Sequence, residues 1–386
     1  MSAVAGPLAV PAPSALARAR WATRAQFLNL GIIAGVWGVH VPSIKAAYQL
    51  DERVLALVLF GTSSGSLLSL LFAGRIVGRL GARDASVVAG WLFCAALASS
   101  LFLPGVAALF VAMVGLGAGE STYDVAINAE GTTLEQLGGR QVMSGFHGMF
   151  SLGAMAGSAL SAAMLRAQVP PTTQLLGTGA IVAVAIALAS RGMLPVHPSE
   201  GEQAHFTWPH GTLLVIGVLI LCGMLAEGVM YNWSVLYIQQ ELATPQARAA
   251  LGYVAFAAAT AAMRFAGDAV RARLSERAML LAGPLVAAGA MAVVLLAGSP
   301  GVALAGFAVV GMGLATIVPI LYNAATRVPG VSRAAAIASV SSIGYLGFLV
   351  GPPIVGAVAH ATSLTLAMGT LVVACLVLVA GSSRVP

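Results

Sequence analysis

Glu120 and Asp124 lie four residues apart inside an apolar run, 106–129, and Asn128 continues their spacing. In a helix that spacing stacks all three on one face. A carboxylate at the centre of a lipid-spanning helix costs at least about 2.5–3.5 kcal/mol on insertion scales. A polar stripe of this kind must therefore face the interior of a bundle. Two carboxylates close together in a low dielectric resist being charged at once and can hold a proton between them. That is the chemistry of a proton-titrating site; a structural hydrogen-bond cluster is the other reading of the same stripe. His147 sits in the next apolar run, 141–164. Counting outward from a turn near Glu135 puts it level with Asp124. Histidine titrates in the physiological range, so His147 could relay a proton, or be a core histidine with satisfied nitrogens.

A second group lies in run 211–238: Glu227, Tyr231, Asn232 and Trp233. Glu227 and Tyr231 share a helical face. A carboxylate and an amide can take the hydroxyls of a solute, and an aromatic face can cover its ring. Trp37 and Asn128 are assigned to the same solute-binding group. Trp233 could instead belong, with Tyr237, to an outer aromatic belt, which is the reading adopted for Tyr237. His40 falls near the end of the first run, where water would reach it. Glu130 is level with Arg140 and is expected to pair with it. Tyr322 and Asn323 fall near the end of their run and read as gate or interface residues. Arg264 reads as a gate partner for an acid. Depth counting at 1.5 Å per residue puts Glu120 and Glu227 toward opposite surfaces, roughly 15 Å apart along the normal.

These residues need helices to hold them, and the composition supplies little else. Of 386 residues, 59% are hydrophobic and 8% charged, against about 25% charged in an ordinary soluble domain. Twelve helices of about 20 residues each need roughly 240 residues, close to what 59% of 386 provides. Apolar runs and their punctuation give spans at 25–44, 54–74, 86–103, 106–129, 141–164, 174–194, 211–238, 249–270, 279–297, 301–325, 334–358 and 363–381. With the N-terminus in the cytoplasm, the segments on that side carry Arg18, Arg20, Arg24, Arg75, Arg79, Arg83, Arg140, Arg191, Arg271, Arg273, Arg277, Arg327, Arg333 and Arg384. The other side carries only Lys45, Arg53, Arg166 and Arg248. The bias of basic residues toward the cytoplasm then places both termini inside.

The chain also repeats itself. Phe72-Ala73-Gly74 recurs as Phe265-Ala266-Gly267, Val114-Gly115-Leu116-Gly117 as Val310-Gly311-Met312-Gly313, and Gly153-x-x-x-Gly157 as Gly347-x-x-x-Gly351. Each match is displaced by about half the chain. Parallel halves of six helices mark a transporter architecture with its site between the halves, near the midplane. The expected division is a cytoplasmic tail (1–20), a six-helix half (21–194), a cytoplasmic linker (195–210) and a second half (211–386).

Other classes lack support. The net charge is +6, but the basic residues are scattered and form no single face for nucleic acid. Cys94, Cys222 and Cys375 all fall in apolar runs, so neither a disulfide framework nor a metal site is expected. No HExxH, GxSxG or phosphate-binding loop occurs, so no enzyme activity and no cofactor are expected.

The segment Gly74-Arg75-Ile76-Val77-Gly78-Arg79-Leu80-Gly81-Ala82-Arg83 resembles the loop signature of the major facilitator superfamily, with Gly78 at its acidic position. Arg264-Phe265-Ala266-Gly267-Asp268 is similar to the second-half copy and keeps the acid. The resemblance assigns Gly74, Arg79, Arg83, Arg264 and Asp268 to the gating loop motif. Val41-Pro42-Ser43-Ile44-Lys45, Gly119-Glu120 with Asp124 to Asn128, Phe146-His147-Gly148 and Glu227-Gly228 with Trp233-Ser234 resemble the fucose-permease-like branch. That branch carries an acid in the first span where Gly38 stands here. By the same alignment Glu120 matches a glutamate that takes part in proton and sugar handling.

The fold class expected is thus an all-α integral membrane protein of twelve transmembrane helices in two pseudo-symmetric halves. The function implied is secondary active uptake of a small polar solute, sugar-like or another organic metabolite, driven by protons at Glu120, Asp124 and His147. A functional monomer in the lipid of a bacterial inner membrane is expected. The alternative is a proton-antiport exporter. Exporters carry a Gly-Pro in the fifth span, where Gly157-Ser158 stands here, and Gly351-Pro352 falls in the eleventh instead.

Overall fold

A computed structural model describes residues 12–139, 142–195 and 209–385, apart from the side chains of Asp268 and Ala334. All regular structure among them is helical. The elements are α1 (Pro13–Ala47), α2 (Glu52–Ser99), α3 (Val106–Gly138), α4 (Met143–Arg166), α5 (Pro171–Ser190), α6 (Gly211–Gln240), α7 (Gln246–Arg271), α8 (Glu276–Ala297), α9 (Pro300–Leu314), α10 (Ile317–Ala325), α11 (Arg333–Ala361) and α12 (Leu364–Gly381). Eleven helical stretches are long and apolar enough to cross a membrane. One of them, α2, carries two of the expected spans. They meet at Gly81, whose φ of 80° and ψ of 157° only glycine adopts readily. Joining α9 to α10, which are separated only by Ala315 and Thr316, then gives twelve crossings.

Sequence punctuation sets the ends. Asp51, Ser275, Ser332 and Ser363 each accept a backbone N–H with their side chains at the start of a helix, as N-caps do. Gly139 ends α3 in the left-handed region with φ 61°, the usual glycine stop. Glu135 turns back to accept the N–H groups of Val142 and Met143 at 2.6 and 3.0 Å, which fixes the hairpin into α4. At the other end of the chain, α1 starts at Pro13, inside the segment read as a tail. The linker residues His197, Glu200, Glu202 and His205, and Arg140, lie outside the described residues.

Contacts at glycines reveal the internal symmetry. A Cβ on Gly117 would strike the carbonyl of Thr62, and one on Gly311 that of Phe256. Gly119 meets Ala89 and Gly313 meets Gly283 in the same way. These pairs keep one common sequence offset, so the first and second halves pack their second, third and fourth spans identically. Gly153 on α4 faces the Leu28 carbonyl of α1, and Gly347 on α11 faces that of Leu221 on α6. The repeat read from the sequence is therefore real, but its middle match was displaced by two residues: Gly117, not Gly115, corresponds to Gly311.

The two halves touch at the end of the bundle that carries Lys45. Gln246 of α7 donates to Val39 O and Ser43 Oγ of α1, both at 2.8 Å. Tyr253 donates to Ala34 O at 3.3 Å, and Ser63 of α2 to Phe348 O of α11 at 2.8 Å. Gly356 packs on Ala56 and on the Glu52 carbonyl. At the opposite, arginine-rich end α4 and α7 still touch, where Gly148 packs on the Phe265 ring, but α2 stands apart from α11. The face of α2 that meets α11 at Ser63 continues to Gly74 and Gly78, where nothing stands within 4 Å. No helix approaches these loop glycines, because α2 and α11 are splayed at this end. Arg79 is exposed and Arg83 partly so.

Candidate functional site

Between the halves lies a cavity of about 310 Å3. Helix α3 enters it with Glu120 and Asp124, stacked one turn apart as their spacing required. Asn128 lies outside the lining; it donates its amide to Asp124 Oδ1 at 2.9 Å and to Asp124 O at 2.8 Å. It supports the carboxylate rather than facing a solute. Glu120, partly exposed to the cavity, makes no hydrogen bond or ion pair among the described residues. Helix α4 brings His147 to the lining, edge-on to Phe27 with centroids 5.2 Å apart. His147 and Asp124, read as level in the sequence, are joined by no hydrogen bond or ion pair among the described residues.

From the second half, α6 presents Glu227, Tyr231 and Asn232. Arg264 of α7 stands 3.7 Å from Glu227 Oε1 and donates to Ser151 Oγ of α4 at 2.8 Å. Tyr231 OH reaches Glu227 Oε2 at 3.5 Å. Asn232 spends its amide N–H on Gly228 O at 3.0 Å, leaving its side-chain oxygen for other partners. Arg264 is thus placed in the cavity wall as the partner of Glu227, away from the loop motif it was grouped with. The side chain of Asp268 lies outside the described residues. Glu227 and Glu120 face one cavity with no hydrogen bond between them.

Several sequence assignments change. Trp37 lines the cavity, but Trp233 does not; it is 1% exposed and packs into the second half, on a different face from Glu227. Tyr237 is equally buried, 6.3 Å from Phe307, so it is a core residue and not part of an aromatic belt. His40 is fully buried, bonded to Ser43 at 3.1 Å and Gln174 at 3.0 Å, where free water was expected. Glu130 accepts from Leu194 N at 2.8 Å, while its expected partner Arg140 lies outside the described residues. Tyr322 accepts from Ser341 at 3.1 Å, and Asn323 donates to Glu276 at 3.0 Å.

Gly38 has a physical explanation. A side chain there would collide with the Tyr253 ring and the Tyr231 carbonyl. The space an acid would need in the first span is occupied by an aromatic ring from the other half. Residues that the sequence reading missed are Thr62, Ser63 and Ser66 on α2, Tyr253 on α7 and Tyr345 and Phe348 on α11, all in the lining. The run Thr62-Ser63-Ser64-Gly65-Ser66 was a polar signal inside an apolar span; the aromatics carried none.

Twelve crossings in two equivalent halves, enclosing a cavity that carries charged side chains and is sealed at one end, define a membrane transporter. The chain belongs to the Major Facilitator Superfamily, whose family model matches residues 22–330. It is 31% identical over 362 residues to an uncharacterized MFS-type transporter of Yersinia pestis, covering 94% of both chains. Among solved structures it is similar to the nucleoside transporter NupG, with a TM-score of 0.76 at 12% identity over 96% of this chain and 98% of that one. It is also similar to the E. coli fucose:proton symporter FucP, with a TM-score of 0.67 at 16% identity over 95% and 98%. At those identities the likeness is one of fold.

Proposed function

We propose that the protein carries a small polar solute inward across a bacterial inner membrane together with a proton, by alternating access. The two halves, 21–194 and 211–386, rock about the cavity, with 195–210 as the linker and both termini cytoplasmic. The arginine-rich, splayed end is then the cytoplasmic end, and the arrangement described is inward-facing. Glu120 takes and releases the proton, with Asp124 and His147 near its route. Trp37, Glu227, Tyr231 and Asn232 bind the solute. Glycine at position 38 and tyrosine filling that space support a proton site on α3 instead of the first span.

The observation that carries this reading is Glu120: a carboxylate facing the cavity between the halves, with no hydrogen-bond or ion-pair partner among the described residues of either. Every such acid needs a proton, a cation or a hydrogen-bond donor in low dielectric. A coupling proton that comes and goes meets that need without a permanent partner. The test uses cells expressing the protein and a panel of sugars, nucleosides and sugar acids. A transported solute should alkalinise the medium as it enters. Glu120→Gln should abolish both the alkalinisation and uptake against a gradient, while exchange of labelled for unlabelled solute persists. Glutamine keeps the hydrogen bonding of the protonated acid but cannot release a proton. Equal loss of exchange would make Glu120 a solute ligand, and acidification on solute entry would favour the antiport alternative.

A further inference from the structure

Resting on that transport reading, we propose that the solute bears a protonated amine beside its hydroxyl groups, and that Asp124 of α3 is the counter-ion of that amine. The side chains of the cavity do not balance in charge. Glu227 has Arg264 at 3.7 Å. Arg264 is the only arginine or lysine in the lining, and it is engaged by that acid and by Ser151 at 2.8 Å. On α3, two further carboxylates lie one turn apart with no cation. Asp124 receives the Asn128 amide at 2.9 Å, and Glu120 receives nothing among the described residues. His147, the remaining ionisable side chain near them, makes no ion pair with either acid.

One coupling proton neutralises one of these acids. The other remains an anion in a wall built largely of rings and alkyl groups, where an uncompensated carboxylate is strongly unfavourable. A cationic group on the solute supplies the missing charge. The rings of Trp37, Phe93, Phe150, Tyr253, Tyr345 and Phe348 surround the same space, and aromatic faces attract a cation as well as covering a ring. The solute's hydroxyls have a partner too, because Asn232 keeps its side-chain oxygen. An anionic solute would add a negative charge to a site where only Arg264 could answer it. A neutral polyol would leave the second carboxylate uncompensated.

The test uses the full chain in phospholipid nanodiscs at neutral pH, with probes matched except at one nitrogen. Glucose, glucosamine and N-acetylglucosamine form one triplet, and the galactose and mannose series two more; uridine and glucuronate are added as neutral and anionic controls. Thermal unfolding selects binders and calorimetric titration ranks them. The amine of at least one triplet should bind at least tenfold more tightly than both of its neutral partners. Asp124→Asn should remove that preference. If the strongest binder is neutral or anionic, the inference fails while the transport reading stands, because a solute has been found. If no amine raises the unfolding midpoint, the inference fails as well. The transport reading fails separately, if no solute of any class exchanges in proteoliposomes. The wild-type ranking decides the matter even if Asp124→Asn does not fold.

Discussion

Arg264 and Glu227 show how far single residues could be read from the sequence. Both stood out as charges within apolar runs, because such charges are costly in a membrane and must be placed with purpose. Their pairing was not legible, since it depends on how α6 and α7 rotate against each other. Their side chains are 15% and 12% exposed, so each partly screens the other from an apolar wall. Removing one partner leaves the other charge uncompensated, a loss of about 3 kcal/mol when a buried pair is broken. Arg264→Met should therefore lower the unfolding midpoint in detergent, and adding Glu227→Gln should restore most of it. Single losses that simply add in the double variant would show that the two side chains do not interact. Trp233 and Trp37 make the converse point. Both are tryptophans in candidate helices, and only the rotation of α1 and α6 decides that one lines the cavity while the other fills the core.

At the scale of elements, span positions were legible because twenty-residue apolar runs and their charged punctuation are local signals. What was hidden were features set by a neighbour: that the loop between the second and third spans stays helical up to Gly81, the break between α9 and α10, and the register of the repeat. A glycine announces a close approach without saying to which helix. The contacts now discriminate among glycines. Gly153→Ala would push a methyl into the Leu28 carbonyl, and Gly347→Ala into that of Leu221. Overpacking of this kind costs about 1–3 kcal/mol. Both variants should unfold earlier, by similar amounts if the halves are equivalent. Gly74→Ala and Gly78→Ala meet nothing within 4 Å and should leave the midpoint unchanged. If the end of α2 approaches α11 in the opposite conformation, the same two variants should slow transport. A lowered midpoint in Gly78→Ala would mean that this end is already closed.

For the whole molecule, the distribution of inter-half contacts fixes which side of the cavity is accessible. Gln246, Tyr253, Ser63 and Gly356 tie the halves at the Lys45 end, while α2 meets nothing at Gly74 and Gly78 and His147 is exposed. In the proposed orientation the arginines at the splayed end lie in the cytoplasm, in line with the positive-inside bias. Together these give a directional expectation. The native Cys94, Cys222 and Cys375 are buried, so they contribute little background to labelling by an impermeant maleimide. A cysteine at Ser144, exposed at the start of α4, should react in inside-out vesicles and not in intact cells. A cysteine at Ser66, in the cavity wall, should do the same in the resting protein. Gln246→Ala removes two hydrogen bonds that cross the halves, at about 1 kcal/mol each. That is enough to raise the outward-open population roughly tenfold or more. In this background the Ser66 cysteine should gain reactivity from outside intact cells, while the Ser144 cysteine should not. Labelling of Ser144→Cys from outside would reverse the orientation. An unchanged Ser66→Cys pattern in Gln246→Ala would show that the seal at the Lys45 end does not depend on Gln246.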